Sequence, residues 1–317
     1  ICVSGSSVPA PSIQRWLKES PNVSGIFMLH DLIPVTHPEY ARPKMAARHR
    51  KYVEDLTRCA SAVITNSQFT AESLSRFAAD HGLKVPRTVV APLGISPHFT
   101  RTQPKADLAP YFVFVGTIEP RKNHILLLQV WQRLVVQHGP AAPKLVIVGR
   151  RGWENENVLD LLDRGENLRS HVIECNQLCD ELLIELIANA RALLLPSHVE
   201  GYGLPVAEAL ALKTPVICSD LPPLREIAGD VPEYVDQLAG RGWARTIMDY
   251  ADLQNPRRRA QVERMARFQA PLWKDHFRKI EDAMPNIGLC AEDGVPAAAQ
   301  LVNLGASAPL AETAAVK

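Results

Sequence analysis

Between Tyr111 and Asp236 the chain alternates short, mostly apolar runs with longer amphipathic ones. The runs Tyr111–Val115, Lys144–Val148, His171–Glu174, Ala192–Leu195, Pro215–Ser219 and Glu233–Val235 read as strands. The stretches Asn123–Gln137, Glu156–Arg164, Asp180–Ala190, Pro205–Leu212 and Leu224–Ala228 read as helices between them. A strand that is apolar on both sides must be covered on both sides, and a helix after each strand supplies that cover. The pattern predicts an α/β architecture with a doubly wound, Rossmann-like parallel sheet. Its ligand site is expected at the carboxyl ends of the strands.

The first hundred residues repeat the theme incompletely. Gly25–Leu29, Ala62–Thr65 and Thr88–Ala91 read as strands, and Lys44–Arg58 and Gln68–Asp80 as helices. That is too little for a whole Rossmann-like unit, so residues 1–100 read as a truncated N-terminal domain. Residues 97–110 are polar and contain proline, and 101–110 are taken as the linker. The second domain is expected over 111–285, ending in helices Ala239–Leu253 and Pro256–Met284. Residues 286–317 are Ala-rich and nearly free of aromatics, a composition that predicts disorder. The chain begins with Ile1 rather than Met, which reads as a fragment.

Composition excludes several classes. The 317 residues are 46% hydrophobic and 22% charged, with a formal net charge of +1, so bulk electrostatics gives no case for nucleic acid. No apolar run reaches the ~18–20 residues a membrane span needs, and no secretory leader is evident, so a cytoplasmic protein is expected. The six cysteines, at 2, 59, 175, 179, 218 and 290, read as buried, reduced thiols. Cys175 and Cys179 lack a second Cys or His pair, so no metal site is expected.

Residues 200–208 read Glu-Gly-Tyr-Gly-Leu-Pro-Val-Ala-Glu. A strand, a glycine-rich turn and a proline at the start of a helix aim backbone N–H groups and a helix N-terminus at an anion. The flanking Glu200 and Glu208 can accept hydrogen bonds from hydroxyls. A ligand with phosphates in the middle and polyols at both ends fits this order, and a nucleotide diphosphate sugar is such a ligand. Arg121 and Lys122 follow a strand and precede a helix, where cations oppose the helix dipole unless they hold an anion. There they can grip phosphate oxygens, Arg as a fork and Lys as a point charge. His30, at the end of an apolar run, is a candidate to orient a sugar hydroxyl. Arg150 and Arg151 are candidates for base or phosphate, with plain surface charge as the competing account.

Five segments in order resemble those of the retaining GT-B glycosyltransferases of family 4. They are His30-Asp31-Leu32-Ile33-Pro34, Thr65-Asn66-Ser67, Pro92-Leu93-Gly94-Ile95, Gly116-Thr117-Ile118-Glu119-Pro120-Arg121-Lys122-Asn123 and the Glu200–Glu208 nonapeptide. The resemblance covers roughly residues 24–284. It implies two Rossmann-like domains facing across a cleft, the N-terminal one incomplete here, with the last helix crossing back to the first domain. It also implies transfer of a hexose from a nucleotide diphosphate sugar with retention and without a metal or other cofactor. His30, Arg121, Lys122 and Glu200 would then be catalytic. Donor binding would fall to Gly116, Thr117, Arg150, Glu174, Cys175, Gly201, Tyr202, Gly203, Leu204, Val206 and Glu208. Leu204 and Val206 would offer amides near the diphosphate, and the loop at Glu174–Leu178 would meet the base. Many members carry arginine where this chain has Thr117, which transfers that role to Arg121.

Within the family the motifs most resemble bacterial mannosyltransferases of surface polysaccharide and lipopolysaccharide assembly. This implies GDP-mannose as donor and a glycan or lipid-linked glycan as acceptor. The basic segment Arg42–Lys51 fits either a solvated helix face or a peripheral contact with anionic membrane at its inner face. Three alternatives stay open: a nucleotide-sugar epimerase or glycan phosphorylase on the same fold, a donor-binding but inactive fragment, and a half that docks its complement from another polypeptide.

Overall fold

The computed structural model describes residues 11–20, 22–100 and 110–284. The expected linker up to residue 109, the expected tail over 286–317, Cys2 and Cys290 lie outside them. The first lobe comprises α1 (Pro11–Glu19), β1 (Ile26–Leu29), α2 (Ile33–Thr36), α3 (Met45–Cys59), β2 (Ala62–Thr65), α4 (Gln68–Asp80) and β3 (Arg87–Val90). The second runs β4 (Tyr111–Val115), α5 (His124–His138), β5 (Lys144–Val148), α6 (Glu156–Arg164), β6 (Val172–Cys175), α7 (Asp180–Ala188) and β7 (Leu193–Leu195). It continues α8 (Leu204–Ala211), β8 (Val216–Ser219), α9 (Pro222–Ala228), β9 (Glu233–Val235), α10 (Gly240–Ala251), α11 (Pro256–Met265) and α12 (Trp273–Ala283).

All pairings are parallel. The first sheet has the order β1-β2-β3, and the second β6-β5-β4-β7-β8-β9. In the second sheet the chain moves outward from β4 to β6, then returns beside β4 as β7 and moves outward the other way. The order therefore reverses between β4 and β7, the point at which sheets of this kind bind ligands at the strands' carboxyl ends.

Alternation along the first sheet sorts its two faces. Phe27, Leu29 and Val63 pack with Tyr52, Val53 and Leu56 of α3 and Leu74 and Phe77 of α4. Ile26, Ala62 and Ile64 face the other way, against Ile280 of α12. The last helix thus leaves the second lobe and covers the first sheet. Its entry is tight: a Cβ on Gly94 would lie 2.2 Å from the backbone nitrogen of Trp273, so this crossing requires glycine.

Three expectations need correction. The single helix expected over Pro256–Met284 is two, α11 and α12. Pro271 lies in the break, where it has no N–H for a helical bond and its carbonyl instead accepts from Ile95 N at 3.0 Å. Of the expected linker region, Pro97–Thr100 forms a 3₁₀ turn whose Phe99 is buried in the second lobe's core. Among the described cysteines only Cys218 is buried. Cys59 and Cys175 are half-buried and Cys179 is exposed, because it precedes α7 rather than lying in a strand.

Ile280 is 6% exposed. Ile280→Ala is expected to lower stability by about 2–4 kcal/mol through the cavity it leaves under the first sheet. A thermal midpoint equal to that of the parent chain would show that α12 does not anchor this face.

Candidate functional site

The loops after β4 and β7 flank the reversal point, and the sequence places its charged residues there. After β4, Gly116 and Thr117 lead into a 3₁₀ turn, Pro120–Lys122. Asn123 (φ 56°) ends that turn, and its side-chain amide donates to Pro196 O at 3.1 Å and Gln237 O at 3.0 Å. His198 N donates to Arg121 O at 2.8 Å. These bonds hold the two loops together and point Arg121 and Lys122 at Glu200.

Glu200 is 5% exposed and both its oxygens are engaged. Oε1 accepts from Lys122 Nζ at 2.6 Å and from Ser197 Oγ at 2.6 Å, and Oε2 accepts from Arg121 Nη1 at 2.9 Å. Arg121 Nε meets Glu119 Oε1 at 2.6 Å, and Glu119 is itself buried. Burial alone would raise the Glu200 pKa. Lys122 and Arg121 outweigh it and hold the carboxyl down at about 2. Glu119 goes the other way: desolvation wins over Arg121 and Lys122, and its pKa rises. Arg121 is pulled down by burial but raised on balance by Glu200 and Glu119, so it keeps its proton. His124, the first residue of α5, is driven down to about 3 by burial and by Lys122. Its ring is therefore neutral and packs edge-on against Phe114 at 4.2 Å.

The glycines permit close approach. A Cβ on Gly149 would lie 1.9 Å from Gly116 O, so the loops after β4 and β5 touch backbone to backbone. Across the cleft, a Cβ on Gly201 would lie 2.8 Å from Asp31 Cβ and 3.0 Å from His30 O. His30 follows β1 and is half-buried, and its backbone carbonyl lies against the turn of the nonapeptide. Asp31 also adds to the negative field on Arg121. More contacts cross beside it. The Tyr40 ring stacks on His198 at 5.4 Å, Trp153 Nε1 donates to Tyr40 O at 3.3 Å, and Arg42 lies 4.6 Å over the Trp153 ring.

Gly116, Thr117, Arg121, Lys122, Glu200 and Gly201 thus come together at the reversal point, with the His30 backbone beside Gly201, and Gly203 (φ 109°) starts α8 against Leu224. Other expected residues stand differently. Tyr202 is buried and its hydroxyl donates to Leu93 O at 2.7 Å, which sends the side chain to the first lobe. At the start of α8, Pro205 has no N–H and Val206 N is spent on Gly203 O at 3.0 Å. Among the first three positions of that helix this leaves the Leu204 amide for an anion, and the expected Val206 contact is withdrawn. Glu208 is half-buried on α8, and burial, then Asp180, pushes its carboxyl up to about 7.

Glu174, at the end of the expected strand, and Cys175, expected in the loop after it, both belong to β6, paired with Ile147 and Val148. Glu174 accepts from Arg151 at 2.8 Å, and Arg151 also binds Asp163. This ion pair occupies both Glu174 and Arg151. Arg150 is exposed. Glu119, Ser197 and Asp31 were not singled out from sequence. Only their adjacency to Arg121, Glu200 and His30 could have pointed to them. Among the described residues no group of three or more His, Cys, Asp or Glu is arranged to hold a metal ion.

Residues 98–240 match the family described as glycosyl transferases group 1. The match runs from the start of the second lobe to the first residue of α10. The chain is 29% identical over 243 residues to serotype-specific mannosyltransferase WbdA of Escherichia coli, covering 72% of this chain and 30% of that protein. It is 32% identical over 230 residues to O-antigen chain mannosyltransferase B of Escherichia coli, covering 66% and 58%. The chain thus spans 30% and 58% of these two relatives' lengths. Its fold is GT-B, shared with sucrose-phosphate synthase of Thermosynechococcus elongatus (TM-score 0.64, 20% identity, 87% of this chain and 71% of that one). Anabaena HepE in complex with UDP has the same fold (TM-score 0.66, 16% identity, 86% and 76%).

Glu200 ionises more easily folded than unfolded, so its contribution is present above the usual 4.5 and is lost as pH falls toward about 2. Glu200→Gln is expected to remove that part of the acid-unfolding slope. Glu208 has the opposite sign: its raised pKa gives stability that fades as pH climbs from 4.5 through about 7. Glu208→Gln should flatten denaturant-midpoint curves across that window, and a slope like the parent's would show Glu208 is not held protonated there. Lys122→Ala, which leaves a buried carboxylate short of a partner, is expected to cost about 3 kcal/mol or more in urea unfolding.

Proposed function

We propose that this chain takes part in transfer of a hexose, mannose from GDP-mannose, to a glycan or lipid-linked glycan in surface polysaccharide assembly. The observation that carries the reading is the meeting of Arg121, Lys122 and Glu200 at the sheet's reversal point, opposite His30. The relatives named as mannosyltransferases support the sugar, and the family match supports the reaction class.

On this reading the donor diphosphate replaces Glu200 as the partner of Arg121 and Lys122, with the Leu204 amide adding to the grip. Glu200, released from the cations, accepts hydrogen bonds from the sugar hydroxyls, and Glu208 accepts from the ribose. The bond from the anomeric carbon to the β-phosphate oxygen breaks, and the two cations stabilise the charge left on the phosphate. The acceptor hydroxyl attacks the same face. Its oxygen bonds to the anomeric carbon, and its proton passes to the departing phosphate oxygen, which retains configuration. His30 orients the sugar. The charge supplied by Arg121, Lys122 and the α8 N-terminus makes a metal unnecessary in this scheme.

A lipid-linked acceptor would favour a chain that docks on anionic lipid. Lys44, Arg48, Arg50 and Lys51 are exposed on or beside α3, next to exposed Met45. Arg42 is drawn away to Trp153, and Lys51 pairs with Asp55 at 2.9 Å. No helix among the described residues is long and apolar enough to cross a membrane. Sedimentation with neutral and anionic vesicles tests the docking, and equal binding to both rejects it.

Calorimetric titration with GDP-, UDP- and ADP-sugars, followed by product analysis with labelled donor, tests the reaction. GDP-mannose is expected to bind best, and Arg121→Ala to lower turnover by about 100-fold. Donor binding with no product would favour the inactive-fragment reading. Full affinity in a chain with both cations reversed in charge would reject the site altogether.

A further inference from the structure

Thr65-Asn66-Ser67 plays no part in the donor scheme, yet Ser67 stands at a junction of the lobes. Ser67 caps α4, its Oγ accepting from Thr70 N at 3.1 Å. The same Oγ lies 2.9 Å from the carbonyl oxygen of Gly201, in the other lobe. Thr70 Oγ1 lies 3.3 Å from His30 O. A carbonyl can only accept, so each hydroxyl is the donor in these contacts. The two hydroxyls also lie 2.9 Å from each other, and Thr70 Oγ1 has Asn66 Oδ1 at 3.3 Å and Gly201 O at 3.5 Å, so they form one shared network around the Gly201 and His30 carbonyls. Both hydroxyls are buried, each residue 1% exposed.

The short helix α9 joins the same junction from behind. A Cβ on Gly203 would lie 2.3 Å from Leu224 Cδ2, so α9 bears directly on the turn. Glu226 then crosses to the first lobe, where its carboxylate accepts from Gln68 N at 2.6 Å and Phe69 N at 3.2 Å. Those amides are among the first donors of α4, which have no partner within the helix. A carboxylate is favoured there by both charge-assisted bonding and the helix dipole. Glu226 is exposed, so this contact can break and re-form in water.

We propose that Ser67 and Glu226 are positioning residues of an inter-lobe latch that sets the donor turn when the lobes are closed. In a trans peptide the carbonyl and the following N–H point in opposite directions. Holding the Gly201 carbonyl toward α4 therefore aims the Tyr202 amide away from α4. When the lobes part, the turn loses that constraint. The latch couples closure to the orientation of the turn. It rests on the reading above only for which ligand that turn holds.

Amide hydrogen exchange on the whole chain without nucleotide tests it in the parent, Glu226→Ala, Ser67→Ala and Ser67→Thr. Glu226→Ala is expected to raise exchange in peptides covering 66–72 and also in those covering 200–206. Ser67→Ala should do the same at 200–206, with Ser67→Thr restoring the parent pattern. Changes confined to 66–72, or none, would make these residues an ordinary helix cap and overturn the latch. With GDP-mannose, Glu226→Ala is expected to lower kcat at least about tenfold while leaving GDP affinity unchanged. An unchanged kcat also overturns it. Absence of any GDP binding by the parent chain would instead sink the donor reading, with the exchange result still deciding the latch.

Discussion

A carboxylate almost completely removed from water survives here because two cations and a hydroxyl reach it. Glu200 and its partners, Lys122, Arg121 and Ser197, come from the loops after β4 and β7. An isolated buried charge would neutralise itself, whereas this one is held ionised below the normal carboxylate range. The pairing also fastens the loops across the point where the sheet order reverses. The carboxylate and the cations that the proposed donor needs thus keep each other in place until a ligand with phosphate and hydroxyl groups exchanges partners with them.

The lobes meet around this cluster through several kinds of contact. Backbone approaches backbone at Gly201 and His30, and again at Gly94 and Trp273. Hydroxyls cross at Ser67 and Tyr202. Aromatic rings cross at Tyr40 and His198. An apolar connection comes from α12, through Ile280 on the first sheet. Of the polar contacts, the hydroxyl bonds are buried and the Glu226 contact is open to water. The apolar one lies behind the first sheet and suits a permanent hinge.

Much of this was legible in the residues. The second sheet's strands showed themselves because a parallel sheet covered on both faces requires apolar runs, and Phe112–Phe114 or Leu145–Val148 can hardly be anything else. The loops at Gly116 and Glu200 were legible because glycines and charges directly after such runs have few other uses. What sequence could not supply was partnership. Nothing local says that Arg151 is occupied by Asp163 and Glu174, or that Val206 spends its amide on Gly203. Glu119 and Ser197 gain their meaning only through Arg121 and Glu200, close neighbours whose own pairing spans 79 residues. The break between α11 and α12 did have a local cause in Pro271, which the helical pattern on either side obscured.

The backbone contact between Gly149 and Gly116 makes the loops after β4 and β5 a single rigid piece. Neither can shift to suit a different nucleotide without dragging the other, and neither can gain a side chain at the point of contact. Diversification of this scaffold toward new donors is therefore confined to the rim: the exposed Arg150, the Arg151–Glu174–Asp163 bridge and the segment carrying Tyr40. On the proposed donor reading, the floor beneath the phosphates stays the same whichever base and sugar lie above it.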